Sequence, residues 1–116
     1  MKIQHITIQT KYFKEELAFF ETYTDFVIQK ELHSDAHNIV FLAEASGDTK
    51  LEIVENTDAQ HSGNMNFSVG IQSGELDELR QRLIQDGYDP TPFIYPEPGV
   101  RFFCVNSPAG VTVQFL

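Results

Sequence analysis

Four polar side chains occupy the outward-facing positions of predicted β-strands: His5, Glu52, Asn66 and Gln114. There are 47 positions from His5 to Glu52 and 48 from Asn66 to Gln114, which indicates two copies of one unit. A carboxylate accepts hydrogen bonds, an amide both donates and accepts them, and an imidazole titrates near neutral pH. These side chains are therefore able to form a hydrogen-bonding floor for a ligand.

Arg101 and the aromatic residues around it form a second candidate group. Arg101 lies between a proline-rich segment and the last predicted hairpin, and it has two interpretations: it orients an anionic group of a substrate, or it is an exposed cation. The aromatic residues either stack on a planar ligand or fill the core. They are Phe93, Tyr95, Phe102 and Phe103.

The other reactive residue types have structural interpretations. Cys104 lies in a predicted strand with no histidine adjacent in sequence, so we interpret it as a buried thiol rather than a nucleophile. His33, His37 and His61 fall in predicted turn or linker segments, which favours solvated loop histidines over metal ligands.

Periodicity predicts the elements that position these residues. Alternation over residues 3–9 predicts a first strand with His5 on its open face. Phe13, Leu17 and Phe20 have helical spacing within residues 10–24. Strands are then predicted at 25–32, 38–43 and 50–55, which completes a β-α-β-β-β unit.

The second half of the chain repeats this order. A strand at 65–72 precedes a helix that runs to Asp86, with Gly87 placed to end it. An edge strand weakened by prolines and a hairpin around the Ser107-Pro-Ala-Gly turn follow. The predicted fold class is α+β: one domain over residues 1–116, made of two βαβββ units (1–56 and 65–116) joined by a linker at 57–64.

Composition narrows the classes of partner. Eight Lys and Arg residues against seventeen Asp and Glu give a net charge of −9, which disfavours nucleic acid and anionic membranes and favours cationic or neutral ligands. Cys104 is the only cysteine, so an intrachain disulfide and a cysteine-rich metal site are excluded. The chain has no run of roughly 18 apolar residues and no apolar signal core, so we expect a cytoplasmic protein.

The order of these features resembles the vicinal oxygen chelate superfamily, which includes glyoxalase I, bleomycin-resistance proteins and extradiol dioxygenases. The resemblance covers essentially the whole chain. Its motifs are His5-Ile-Thr-Ile, Lys50-Leu-Glu-Ile-Val-Glu, Gly74-Glu-Leu-Asp-Glu-Leu and Ser107-Pro-Ala-Gly. It implies that the paired units curve a mixed sheet around a cleft, with helices on the outer faces.

The resemblance also implies where a metal would bind, because the first and fourth strands of each unit commonly supply four ligands in this superfamily. By position these are His5, Glu52, Asn66 and Gln114. His5 and Glu52 match the family pattern, whereas metal-binding members usually have His or Glu at the other two positions. Amide oxygens are weak ligands for Zn²⁺, Ni²⁺ or Fe²⁺. The resemblance further suggests that Arg101 lines the mouth of the cleft.

We therefore predict a small-molecule-binding protein that needs no cofactor, with a cationic or aromatic organic ligand and a homodimeric assembly. The predicted ligand contacts are His5, Glu52, Asn66, Gln114, Arg101 and Phe103. The alternative is a metal-dependent glyoxalase-like lyase or isomerase, or a dioxygenase. In that case His5 and Glu52 would hold a divalent metal such as Zn, Ni or Fe, and Glu52 would be the catalytic base. A non-catalytic regulatory module is a third possibility.

Overall fold

The computed structural model describes residues 1–60 and 67–116. The chain divides into two compact units, Met1–His61 and Ser62–Leu116. Unit 1 contains β1 (His5–Thr10), α1 (Phe13–Tyr23), β2 (Val27–His33), β3 (Asn38–Ala43) and β4 (Lys50–Glu55). Unit 2 contains β5 (Ser68–Ile71), α2 (Leu76–Gln85), β6 (Ile94–Glu97), β7 (Val100–Asn106) and β8 (Thr112–Phe115).

The two units have the same topology. The sheet of unit 1 has the order β1-β4-β3-β2, and that of unit 2 has the order β5-β8-β7-β6. In each sheet the first and fourth strands of the unit pair in parallel, and the other pairs are antiparallel. The α+β class and the two βαβββ units predicted from the sequence are confirmed.

Alternation along the strands gives the sheet of unit 1 a buried face and an open face. Ile8, Val40, Leu42, Leu51 and Ile53 are buried, as a sheet covered on one side requires. Helix α1 contacts β4 and has its own buried face. That face comprises Phe13, Glu16, Phe19, Phe20 and Tyr23.

Helix α1 begins at Phe13, three residues later than the sequence predicted. Thr10 is instead the last residue of β1, where it is fully buried. Its Oγ1 accepts a hydrogen bond of 2.9 Å from the Tyr12 N–H, which helps the chain to turn from strand to helix. Leu17, predicted to share the buried face, is only partly buried, and Phe19 is buried in the core.

Strand β2 contains a register shift that matters for the open face. Ile28 pairs with Leu42, but Lys30 rather than Gln29 pairs with Phe41, so Gln29 is an extra residue on β2. Partners across a sheet share a face. The shift therefore places Lys30 on the face of Phe41, opposite to the face of buried Leu42.

In unit 2, Gly87 ends helix α2 as predicted. Gly87 has φ +94°, a left-handed conformation that glycine adopts without a Cβ clash. The N–H groups of Gly87 and Tyr88 donate to the carbonyls of Ile84 and Leu83, which is the Schellman pattern of helix ends. The buried Leu79 and Leu83 of this helix belong to the core, as do Phe103, Val113 and Phe115.

None of the helices in the described part of the chain is both long and apolar enough to cross a lipid bilayer.

Candidate functional site

The open face of unit 1 brings His5 and Glu52 together, as the sequence predicted for this pair. His5 Nε2 lies 3.5 Å from Glu52 Oε1, and the two side chains are 40% and 15% exposed. The Thr7 hydroxyl donates a hydrogen bond of 2.6 Å to the same carboxylate oxygen. The parallel register places Thr7 opposite Glu52 and His5 opposite Lys50, so all four residues share one face. Thr7 thus fixes a carboxylate that can pair with a protonated His5.

This polar row continues across the sheet to an aromatic residue and a cation. Phe41 pairs with Glu52 on one side and with Lys30 on the other. The rings of Phe41 and His5 meet edge to face, with centroids 5.7 Å apart and an interplanar angle of 78°. Hydrogen-bonding groups and an aromatic surface therefore lie next to each other on the open face.

A pocket of about 410 Å³ lies against this part of the sheet. Its lining combines Phe41 with polar groups: the amides of Gln4 and Gln29, the Ser46 hydroxyl, and the side chains of His5, Lys30 and Lys50. Ligand pockets typically measure about 300–1,000 Å³ and combine apolar surface with a few polar groups. The pocket is large enough for a small organic molecule.

In unit 2, Gln114 lies between Gly70 of β5 and Cys104 of β7. A Cβ atom at Gly70 would lie 3.8 Å from Gln114 Oε1. The partly exposed amide therefore faces a position without a side chain, and the Cys104 thiol is on its other side. Gln114 lies on the fourth strand of unit 2, as Glu52 lies on the fourth strand of unit 1.

The registers add a second candidate for the counterpart of His5 in unit 2. Glu52 pairs with Thr7, two residues after His5, and Gln114 pairs with Gly70, two residues after Ser68. Counted back from Gln114 in this way, the exposed Ser68 corresponds to His5. The predicted counterpart, Asn66, lies outside the described residues and stays a prediction.

Arg101 packs on the helix side of its sheet instead of on the open face. Its guanidinium makes two hydrogen bonds to the Asp77 carboxylate of α2, of 2.8 and 3.3 Å. It also lies over the Phe93 ring, 4.1 Å from the centroid. The bond to Asp77 raises the pKa of Arg101, and in turn the pKa of Asp77 lies below its usual value. These contacts favour the interpretation of Arg101 as a structural cation over that of a ligand contact.

The prediction that Phe103 contacts a ligand is wrong for this structure. Phe103 is fully buried, with its ring centroid 5.5 Å from that of Phe115 and 5.7 Å from that of Phe93. Strand alternation places Phe103 and buried Val105 on the core face. Phe102, which is partly exposed, is on the face of Cys104 and Gln114.

Among the loop histidines, His33 and His37 lie beside polar residues other than the open-face residues named above. His33 Nδ1 lies 2.7 Å from Asn38 Oδ1, and its Nε2 lies 3.8 Å from Glu31. His37 lines a separate pocket of about 350 Å³ with Glu55 and Asp58. His61 lies outside the described residues. Cys104 is partly buried, and this burial raises the pKa of its thiol, as expected for a structural cysteine.

The donor set fits a divalent transition metal poorly. His5 and Glu52 are good donors, but the Glu52 oxygen nearest His5 already accepts the Thr7 hydroxyl proton. The open face of unit 2 offers the Ser68 hydroxyl and the Gln114 amide, which are weak ligands for Zn²⁺, Ni²⁺ or Fe²⁺. Within residues 1–60 and 67–116, no three His, Cys, Asp or Glu side chains are grouped as a metal site requires.

Comparison with solved structures confirms the predicted fold. Glyoxalase I of Leishmania major, described as trypanothione-dependent, matches with a TM-score of 0.79 and 18% identity over 100% of this chain and 86% of that chain. Fosfomycin resistance protein FosX of Listeria monocytogenes, complexed with Mn(II) and a dihydroxypropylphosphonic acid, matches with a TM-score of 0.78 and 18% identity over 98% and 90%. The antibiotic-binding protein TnmS3 of a Streptomyces species matches with a TM-score of 0.75 and 15% identity over 99% and 93%.

The chain thus has the fold of the vicinal oxygen chelate superfamily. No protein-family model matches the sequence. No curated protein sequence matches it either. At these identities the likeness establishes the fold and does not assign an activity.

The sequence analysis missed four residues of the open face: Thr7, Lys30, Phe41 and Lys50. A signal for Thr7 and Lys50 was present, because each is two residues from a predicted site residue on the same strand. The placement of Lys30 beside Phe41 on the open face depends on the antiparallel registers and on the extra residue at Gln29. Strand periodicity alone does not contain that information.

Proposed function

We propose that this protein binds a small organic molecule at the open face of a sheet and that binding requires no metal. The observation that carries the proposal is the pocket of about 410 Å³ beside His5 and Phe41. It adjoins the row of Thr7, Glu52 and Phe41, which offers hydrogen bonds and an aromatic surface. Sequestration of a toxic compound or an antibiotic is the form of binding that we favour, and the likeness to the antibiotic-binding protein TnmS3 supports it.

His5 and Glu52 are the proposed polar contacts in unit 1. Glu52 is only 15% exposed, so its carboxylate is partly desolvated and its hydrogen bonds are strengthened. Gln114 is the proposed polar contact on the sheet of unit 2, where its amide both donates and accepts. Ser68 is a further candidate there beside the predicted Asn66, since it lies two residues before Gly70 as His5 lies two residues before Thr7.

The test is a ligand screen by thermal shift in the presence of a chelator, followed by calorimetry on each compound that binds. For a compound bound beside His5, Glu52→Gln is expected to weaken binding roughly three- to tenfold, as loss of one hydrogen bond predicts. Gln114→Ala is expected to have the same effect on a compound bound at the open face of unit 2. The exposed residues Glu21 and Gln81 provide matched controls. Glu21→Gln and Gln81→Ala should leave the affinity unchanged.

Elemental analysis of the purified protein tests the metal-independent part separately. We expect no stoichiometric Zn, Ni, Mn or Fe after exposure to these ions, and no rise in melting temperature. About one tightly held ion per chain, lost in Glu52→Gln, would contradict the proposal. It would favour the metal-dependent lyase, isomerase or dioxygenase instead.

The homodimer stays a prediction from the superfamily resemblance. Sedimentation equilibrium over a range of concentrations would measure the assembly directly. A monomer at all concentrations would contradict the predicted dimer without affecting the proposed binding.

A further inference from the structure

We infer that the pocket beside His5 takes an organic anion, with the acidic group held by Lys30 and Lys50 and a planar apolar part on Phe41. This inference rests on the proposed function and specifies the chemical class of the ligand. It opposes the expectation drawn from the net charge of −9, which favoured a cationic ligand. The charged side chains that line the pocket determine which ligand charge it favours, and the net charge of the whole chain does not.

The described side chains that line the pocket include two cations. Lys30, Lys50 and His5 are its titratable members, and among residues 1–60 and 67–116 no Asp or Glu lines it. Screening limits the reach of the acidic surface elsewhere to about 10 Å at 0.1 M salt. The two ammonium groups line the pocket and are therefore the charges that an anion inside it would contact.

The two lysines differ in how they are held. Lys50 is half-buried, and its Nζ donates to the carbonyls of Ser46 and Asp48 at 2.7 and 3.2 Å. Since an ammonium has three N–H donors, one remains for a ligand. Lys30 is exposed, and within residues 1–60 and 67–116 it has no ion-pair partner. Lys50 is thus a donor held in place by the backbone, and Lys30 is a cation that is available to form an ion pair with a bound acid.

Two carboxylates close to this group of residues have contacts of their own: Asp48 Oδ2 accepts the Ala45 N–H at 3.2 Å, and Glu52 is held by residues of β1. Glu52 Oε1 accepts the Thr7 proton and lies 3.5 Å from His5 Nε2. His5 therefore lies between Glu52 and the pocket that it lines. Phe41, in edge-to-face contact with His5, supplies the apolar wall. An aromatic or otherwise planar acid matches both parts of this surface.

The test compares 2-naphthoate with its neutral amide and with 2-naphthylmethylamine, which is cationic at pH 7, by calorimetry in the presence of a chelator. We expect 2-naphthoate to bind roughly tenfold more tightly than the amide, because a charge-assisted hydrogen bond is about twice as strong as a neutral one. The amine should bind more weakly still. Added salt should weaken the binding of 2-naphthoate and leave that of the amide almost unchanged.

Lys30→Met and Lys50→Met test the assignment of the two cations, since methionine keeps much of the side-chain length and removes the charge. Each should weaken 2-naphthoate binding roughly three- to tenfold and leave amide binding unchanged. Lys14→Met is the matched control, because Lys14 is exposed on α1 and does not line the pocket. Circular dichroism and a urea titration would verify that each variant is folded.

Three results would overturn the inference: equal affinity for the amine and the acid, an equal loss in Lys14→Met, or no binding of 2-naphthoate at millimolar concentration. Such a failure is distinguishable from failure of the proposed function. If the wider screen yields a neutral or cationic ligand that is sensitive to Glu52→Gln, the binding function stands and only the anion assignment is lost. If the screen yields no ligand at all, both fail.

Discussion

Thr7 and Glu52 lie opposite each other on the parallel strands β1 and β4, and the threonine hydroxyl donates a hydrogen bond of 2.6 Å to the carboxylate. The bond joins two strands that are 45 residues apart in sequence. It also orients the carboxylate oxygen that His5 approaches. Thr7 is therefore a positioning residue for the proposed polar contact.

Replacing Thr7 with valine should remove this bond while keeping the shape of the side chain. We expect the free energy of unfolding to fall by about 0.5–1.5 kcal/mol, as for loss of one intramolecular hydrogen bond. Urea denaturation measures the change. Thr7→Ser keeps the hydroxyl and should retain most of the stability. If the valine variant is as stable as the wild type, the bond contributes nothing to folding.

The ion pair between Arg101 and Asp77 should make stability depend on pH below the ordinary aspartate value. Arg101 lowers the pKa of Asp77 below 3.8. A carboxyl whose folded-state pKa is depressed stabilises the protein above its unfolded-state pKa, and this contribution is lost as the pH falls through the folded-state value. Asp77→Asn should therefore lower the urea midpoint at pH 7, and its difference from the wild type should shrink towards pH 3.

Asp89→Asn is the matched control for this pH series. Asp89 is exposed and belongs to the same unit. Its replacement should leave the urea midpoint close to that of the wild type at both pH values. A difference between Asp77→Asn and the wild type that stays constant from pH 7 to pH 3 would contradict a role for the charged pair.

Phe103 should behave as a core residue and not as a ligand contact. Phe103→Leu leaves a smaller side chain against Phe93 and Phe115, so we expect a loss of stability of about 1–3 kcal/mol from imperfect packing. The affinity for any ligand found in the screen should not change. Phe102→Leu, on the open face, is the comparison. A larger effect on affinity for Phe103→Leu than for Phe102→Leu would restore the prediction made from sequence.

The single cysteine reports on the open face of unit 2. Burial raises the pKa of the Cys104 thiol, so the thiolate fraction at pH 8 is low, and alkylation by iodoacetamide should be slower than that of a free cysteine peptide. Mass spectrometry follows the reaction without any mutation. Because Cys104 pairs with Gln114, a ligand on this face should slow the reaction further. Fast alkylation that a saturating ligand does not affect would contradict binding here.

Sequence patterns were sufficient for the topology and for the pair in unit 1. Alternation around Ile8, Leu51 and Ile53 identifies the buried faces, and it therefore places His5 and Glu52 on the open side. Alternation was less informative in unit 2, because a shift of two residues preserves the face of every side chain. A pattern of period two therefore does not distinguish Asn66 from Ser68. The pairing of Gly70 with Gln114 adds Ser68 as a candidate, and Asn66 lies outside the described residues.

Arg101 and Phe103 were assigned from their place in the chain order, although the strand pattern carried better information. Phe103 and Val105 alternate in step with the buried residues of β8, which indicates the core face. Arg101 lies two residues before Phe103 on the same strand, so alternation places it on the same face, the side of α2. The partner of its guanidinium, Asp77, lies 24 residues away in sequence, and such a pairing follows only from the tertiary structure.

The extra residue at Gln29 has a consequence for how the pocket chemistry can change. If the pairing continued regularly from Ile28, Gln29 would pair with Phe41, and Lys30 would pair with Val40 and point to the buried side of the sheet. Deleting the codon of Glu31 would restore this regular pairing and would therefore exchange an ammonium for an amide at the pocket wall, with no substitution among the residues that line the pocket. In this fold, insertions and deletions in β2 are a route to altered ligand preference.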